Sequence, residues 1–262
     1  MKIKGNLSNG NVPVNEDESI DDLQNGYHII QKKNAFRYGV DAVLLADFVK
    51  TKKNDKVLEI GTGTGIIPIL MIARAKERYI PAVIEAVEVQ NHMAEMASRS
   101  VELNSLQDLI KIKNIDIRNY DKELKKAEYD VVVMNPPYMR TEKGINCPDE
   151  SRNIACFEVK GTLEELIGSA RDLLKTGGKL FMIQRADRLV DVFCAMRAVG
   201  IEPKKIRFVQ SKPRSKPHLI LIMGSRNGGV ELIFDDPLII YEEEGTYTKD
   251  ALEIYGREQD VT

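Results

Sequence analysis

Apolar positions along this chain switch repeatedly between two spacings. Short apolar runs of strand length occur at Lys56–Ile60, Ala82–Val89, Ile110–Lys113, Asp130–Met134 and Lys179–Ile183. Between them stand segments with the helical period: Ile66–Ala75, Asn91–Asn104, Thr162–Lys175 and Arg188–Val199. Thr162 and Glu165 form a capping box, and Leu163, Leu166, Ile167, Ala170, Leu173 and Leu174 make one apolar stripe that Gly177-Gly178 stop. Asn91 is the expected cap of its helix. Alternating strands and helices of this kind predict a mostly parallel sheet with helices on both faces. Lys205–Val209 and Leu219–Gly224 form a final strand pair. The connection Gln210–Pro217 is too short for a crossover helix, so the last strand is expected to run antiparallel.

The regions outside this alternation read differently. Residues 1–19 are polar and predict an arm without regular structure. Asn25-Gly26 between short strand-like runs predicts a hairpin. Gly39–Lys50 carries Val40, Val43, Leu44 and Phe48 on one helical face, with Asp41 near its N-terminus. The chain therefore divides into an arm and hairpin over 1–35, a main α/β domain over 36–235, and a C-terminal strand and tail over 236–262. Glu242–Glu244 is expected to be solvated.

The 262 residues, with 43% hydrophobic content, suffice for one sizeable core. A net charge of -2 implies no general affinity for nucleic acid. The three cysteines, Cys147, Cys156 and Cys194, show no metal-binding spacing, and His28, His92 and His218 are scattered, so no metal is expected. The odd cysteine count and the lack of a secretory or membrane-spanning segment place the chain in the cytoplasm.

Candidate chemistry begins at the end of the first parallel strand, in Glu59-Ile60-Gly61-Thr62-Gly63-Thr64-Gly65. Gly61, Gly63 and Gly65 allow a sharp turn and close approach of a ligand to the backbone. The spacing is not the dinucleotide fingerprint, because Ile66 stands where the third glycine of that motif belongs. Glu59 would repel a phosphate but suits an ammonium group. Glu88 ends the next strand, where a carboxylate accepts from ribose hydroxyls, and Asp116 follows the third, where an acid can accept from an adenine amino group. The ordered set resembles the Rossmann-like class I methyltransferases that use S-adenosylmethionine. The resemblance assigns Glu88 to ribose and Asp116 to adenine.

Asn135-Pro136-Pro137-Tyr138 follows the buried-strand run Val131-Val132-Val133-Met134, at the strand end where ligands bind in open α/β sheets. An aromatic amine is a poor nucleophile because its lone pair is delocalised. The Asn135 side-chain oxygen and the Pro136 carbonyl can each accept one of its N–H groups and favour a pyramidal nitrogen. Pro136 and Pro137 stiffen the acceptors, and Tyr138 offers a face for stacking a base. Adenine N6, a glutamine side-chain amide and guanine N2 all fit such a site.

Further segments narrow the choice: Phe36-Arg37-Tyr38-Gly39-Val40-Asp41-Ala42-Val43-Leu44-Leu45, Ile154-Ala155-Cys156-Phe157-Glu158, Arg185-Ala186-Asp187-Arg188-Leu189 and Pro237-Leu238-Ile239-Ile240-Tyr241. Together they resemble the bacterial tRNA(Val) adenine-N6 methyltransferase family over roughly residues 20–255. The resemblance implies methylation of an anticodon-loop adenine in tRNA, with Gly39 and Asp41 helping to close the cofactor pocket. It departs at Cys156-Phe157, where the family carries an Arg-His pair. RNA contacts are expected from Arg140 and Lys143 beside the catalytic motif, and from Lys204, Lys205, Lys212, Arg214 and Lys216 in a basic stretch without acids. Two other readings use the same residues. One is a glutamine-N5 methyltransferase acting on release factors, whose relatives carry a helical N-terminal domain. The other is a non-catalytic RNA-binding protein that keeps the cofactor fold.

Overall fold

The computed structural model describes residues 12–23, 26–33, 39–75, 79–137 and 162–255. The main sheet contains β3 (Lys56–Ile60), β4 (Val83–Glu88), β5 (Ile110–Asn114), β6 (Tyr129–Met134), β7 (Leu174–Arg185), β8 (Ile201–Gln210), β9 (Leu219–Arg226), β10 (Ile233–Phe234) and β11 (Leu238–Ile239). Its order is β10-β8-β9-β7-β6-β3-β4-β5, with β11 also on β8. β3, β4, β5, β6 and β7 pair in parallel. β9 runs antiparallel to both β7 and β8, which is the reversed late strand expected. It inserts between its neighbours rather than lying at the edge.

Helices cover both faces, so the central strands are buried on both sides and read as continuous Val, Ile and Leu runs. On one face lie α1 (Val40–Phe48), α2 (Ile66–Arg74) and α3 (Asn91–Leu103), together with the C-terminal α6 (Lys249–Tyr255). α4 (Leu163–Leu173) and α5 (Leu189–Ala198) cover the other. Pro68 is tolerated in α2 because it sits in the first turn, where its missing N–H costs no helical bond. The Thr162–Glu165 capping box forms as expected, with Glu165 N–H donating to Thr162 Oγ1 at 3.2 Å and Thr162 N–H to Glu165 Oε2 at 2.8 Å.

Several local expectations are corrected. Gln90, not Asn91, precedes α3, and no side chain caps it. Asn91 is already helical and donates to Glu95 Oε1 at 2.6 Å. α4 ends at Leu173, and the chain enters β7 directly, so Gly177-Gly178 fall inside an irregular stretch of that strand. Burial of Leu173 and Leu174 outweighs the local stop signal. The hairpin is larger than its turn suggests. β1 (Glu18–Asp22) pairs with β2 (His28–Lys32) and takes Glu18 and Ser19 out of the expected arm. Gly26 has φ +81° in its turn, and Asn25 lies outside the described residues. Cys194 is exposed, whereas Cys147 and Cys156 lie outside the described residues.

The hairpin docks on α3 through polar groups. The unpaired edge of β2 needs partners for its backbone. His28 N–H donates to Asn104 Oδ1 at 2.8 Å, Asn104 Nδ2 returns a bond to His28 O at 2.6 Å, and Ile30 N–H donates to Ser100 Oγ at 3.0 Å. Arg99 clamps Glu18 with two bonds of 2.6 and 2.7 Å. The C-terminal segment also joins the core, with Leu238, Ala251 and Ile254 buried. No helix among the described residues is long and apolar enough to cross a membrane.

The clamp predicts an acid sensitivity. Arg99 holds the Glu18 carboxyl down at about 2. A carboxyl whose folded value is depressed stabilises the fold above its unfolded value and loses that contribution as pH falls towards the folded one. Equilibrium urea unfolding between pH 6 and 2 is expected to show this loss. Arg99→Ala should cost about 3 kcal/mol at neutral pH, because it strands a buried charge, and should flatten the acid limb.

Candidate functional site

The glycine turn leaves β3 and is tied to β4 by its backbone. Gly61 and Thr62 N–H groups both donate to Val87 O, at 2.9 and 3.0 Å, and Gly63 N–H donates to Glu88 Oε2 at 2.9 Å. Donors that a phosphate would need are thus committed to β4, and a carboxylate stands among them. Gly63 (φ +58°) and Gly65 (φ +86°) adopt the left-handed conformation. A Cβ on Gly65 would also meet Ala97 Cβ at 3.4 Å, so this glycine lets α2 and α3 approach closely.

Glu88 accepts on both oxygens, since Oε1 takes Gln90 N–H at 3.0 Å. It couples the turn after β3 to the start of α3 and keeps lone pairs for further donors. Together with Gly61, Asp116, Asn135, Pro136 and Pro137, it lines an open cleft at the C-terminal edge of the sheet. Val89, Ile115 and Ile117 give the cleft apolar walls. A few polar groups in an apolar cleft are the usual make-up of a small-molecule site.

Glu59 lies outside the cleft lining, behind the glycine turn, and is 1% exposed. Thr62 Oγ1 donates to its Oε2, while Oε1 is buried with no hydrogen-bond partner among the described residues. Burial pushes this carboxyl up to about 8 despite the Thr62 bond, and the nearby Glu88 charge adds to the rise. Such an orphan acceptor suits a cation. Asp116 is in the opposite situation. Arg118 grips it through the guanidinium and backbone N–H, and this holds the carboxyl below its ordinary range. The same carboxylate caps a short 3-10 helix at Ile117–Lys122.

Asn135 and Pro136 emerge from β6 beside the cleft. Asn135 Nδ2 donates to Asp41 Oδ2 at 3.1 Å, so the first turn of α1 reaches the end of β6. Gly39 adjoins that carboxylate. Asp41 is not among the cleft-lining residues. Tyr138, Arg140 and Lys143 lie outside the described residues.

The basic stretch is split by the fold. Lys204 donates to Gly229 O at 3.0 Å and sits 3.9 Å from Glu231, and Lys205 pairs with Asp235 at 2.9 Å. These acids come from the β10 region, which the sequence reading did not place. Lys212 donates to Glu243 O at 2.8 Å. Arg214 and Lys216 are exposed on the β8–β9 loop. β8 runs in the direction of β6, so this loop projects from the same sheet edge as Asn135. Arg118 at the cleft rim was not among the expected residues; an acid and an arginine two positions apart at a helix start was the available signal.

Comparison with known proteins agrees with this geometry. The model of the methyltransferase small domain matches residues 27–191. The chain belongs to this family. The tRNA1(Val) (adenine(37)-N6)-methyltransferase of Phocaeicola vulgatus is 31% identical over 75% of this chain and 80% of the relative. The protein of that name from Haemophilus influenzae is 26% identical over 87% of this chain and 93% of its own length. Among solved structures, an Agrobacterium tumefaciens protein described as a predicted O-methyltransferase superimposes with a TM-score of 0.66 at 22% identity, over 82% of this chain and 95% of that one. TYW2 of M. jannaschii in complex with AdoMet gives 0.55 at 14% identity, over 80% of this chain and 86% of that one. These structures establish the shared methyltransferase fold.

The Glu59 environment predicts a pH dependence. The folded carboxyl keeps its proton up to about 8, far above the unfolded value of 4.5. Stability of the unliganded protein therefore falls as pH rises through that window. Melting curves from pH 5 to 9 should show Glu59→Gln gaining on the wild type as pH increases. A constant difference across the range would contradict the assignment.

Proposed function

We propose that this chain transfers a methyl group from S-adenosylmethionine to N6 of an adenine in the anticodon loop of a tRNA, in the cytoplasm. The carrying observation is the Asn135 amide held at the end of β6 beside an apolar, acid-rimmed cleft. The names of the relatives support the same substrate.

The residues suit the cofactor in three places. Glu59 offers an orphan buried acceptor to the ammonium of the methionine moiety. Glu88 retains lone pairs on both oxygens for the ribose hydroxyls. Asp116, oriented by Arg118, stands at the adenine end between Ile115 and Ile117. Gly61 leaves the backbone side of the cleft open, Gly63 and Gly65 shape the turn behind it, and Gly39 adjoins Asp41 beside Asn135. When bound, S-adenosylmethionine supplies an electrophilic methyl group on a sulfonium sulfur.

The chain's own residues prepare the amine. Asn135 Oδ1 and the Pro136 carbonyl accept its two N–H groups and draw the lone pair out of the ring. Pro137 stiffens this corner, and Tyr138 stacks the base. No strong base is required, because the proton is lost from an already methylated, acidic nitrogen. The rate gain comes from orientation and from acceptors placed in advance.

RNA is held by charge at the same edge. Arg214 and Lys216 on the β8–β9 loop engage phosphates, with Lys212 at the loop base and Arg140 and Lys143 beside the motif. Lys204 and Lys205, neutralised by Glu231 and Asp235, contribute less. A splayed loop adenine costs less to deliver than one flipped from a duplex.

Two measurements test this reading. Mass spectrometry of nucleosides from unmodified tRNA incubated with protein and S-adenosylmethionine should reveal N6-methyladenosine, and Asn135→Ala should reduce its formation about 10²–10³-fold. Label found instead in a protein glutamine would refute the adenine assignment. Replacing Arg214 and Lys216 with Gln should weaken tRNA binding and lower the salt slope of log K by about 0.7 per residue, leaving S-adenosylmethionine binding unchanged.

A further inference from the structure

We infer that Asp41 is a positioning residue, which selects the reactive orientation of the Asn135 amide. The inference rests on the amine-methylation reading above and assigns Asp41 a task distinct from closing the cofactor pocket.

A primary amide has two ends of nearly equal size. One end only accepts hydrogen bonds and the other only donates them. An Asn135 turned the wrong way would point N–H groups at the N–H groups of its substrate. Nothing in the shape of the side chain prevents this turn. A carboxylate does prevent it, because an ionised carboxylate has no proton to donate. In the structure, Asn135 Nδ2 donates to Asp41 Oδ2 at 3.1 Å. The flipped amide would set its oxygen against that carboxylate oxygen and lose a charge-assisted bond. The nitrogen is therefore committed to α1, and the oxygen becomes the end that meets the amine.

The surroundings hold Asp41 to this task. Its Oδ1 accepts Ala42 N–H at 3.0 Å, which anchors the carboxylate to the first turn of α1. The carboxylate folds back over Gly39, where any Cβ would collide with it. Ala42, Val43, Leu44, Leu45 and Ala46 are buried, so α1 offers a rigid mount. Asn135 lines the cleft and Asp41 does not, so Asp41 stands behind the amide as seen from the cleft.

The test exchanges the pair. In Asn135→Asp, two carboxylates face each other. Adding Asp41→Asn restores one donor and one acceptor with the hydrogen bond reversed, and leaves Oδ1 of residue 135 as an acceptor. Single-turnover methylation of tRNA is measured at saturating S-adenosylmethionine, and cofactor affinity is measured separately by calorimetry. Asp41→Ala is expected to slow transfer about 10²-fold with cofactor affinity changed by less than about threefold. The double exchange should run at least about tenfold faster than Asn135→Asp alone, a coupling that independent roles do not produce. Proportional loss of cofactor affinity in Asp41→Ala with an unchanged saturated rate would overturn the inference, as would a double exchange no better than Asn135→Asp.

A readout independent of turnover separates this inference from the substrate assignment. The side-chain amide protons of Asn135 should be shifted and slowly exchanging in the wild type, and should change shift and exchange faster in Asp41→Ala. If the wild type methylates no adenine but this change occurs, the substrate reading fails and the positioning contact stands. Unchanged amide signals in Asp41→Ala would sink the inference whatever the substrate.

Discussion

The site depends first on the parallel pairing of β3 with β4 on one side and β6 on the other. Ile60 stands level with Val87 and with Met134, so the three chains leave the sheet side by side, about 4.8 Å apart. That register brings the glycine turn, Glu88 and Asn135 to one edge. It is enforced by burial. Val57, Leu58, Val87, Val131, Val132 and Val133 are all buried, and slipping any strand by one residue would exchange its two buried faces.

Polar groups at this edge are given different characters by their partners. Glu88 carries two backbone N–H bonds and joins adjacent loops. Asp116 is gripped by Arg118 and sits below the ordinary carboxylate range. Glu59 has one hydroxyl partner and an orphan oxygen, and burial raises it. Three carboxyl groups on consecutive strand ends thus present a bridging acceptor, an oriented anion and a buried acid whose pKa is raised. The difference comes from burial and hydrogen-bond partners rather than residue type.

Charge on the molecule follows the same logic. The net value of -2 conceals an exposed basic loop at the sheet edge where Asn135 emerges. Lys204 and Lys205 stand close to that loop in sequence, yet the strand returning along β8 supplies the acids that occupy them. Cations on the loop extend beyond this strand and face solvent. Proximity in sequence therefore overstates the size of the basic surface.

Much of the architecture was legible in local patterns. The strand–helix alternation implied the parallel sheet, and a connection too short for a helix implied the reversed β9. Thr162 and Glu165 announced their own cap. Glycines at 61, 63 and 65 marked the turn, and Asn135-Pro136-Pro137 marked the corner after a buried strand. Each signal concerns residues close enough in the chain for backbone geometry or hydrogen-bond reach to settle the outcome. The tertiary structure alone decided the rest. It ended α4 before its glycines, left α3 without a side-chain cap, buried Glu59 behind Thr62, and paired Lys205 with Asp235. It also set Asp41 against Asn135 across 94 positions of sequence. Those contacts depend on which strand lies beside which and on the water that packing excludes, and neither is written in any short stretch of the chain.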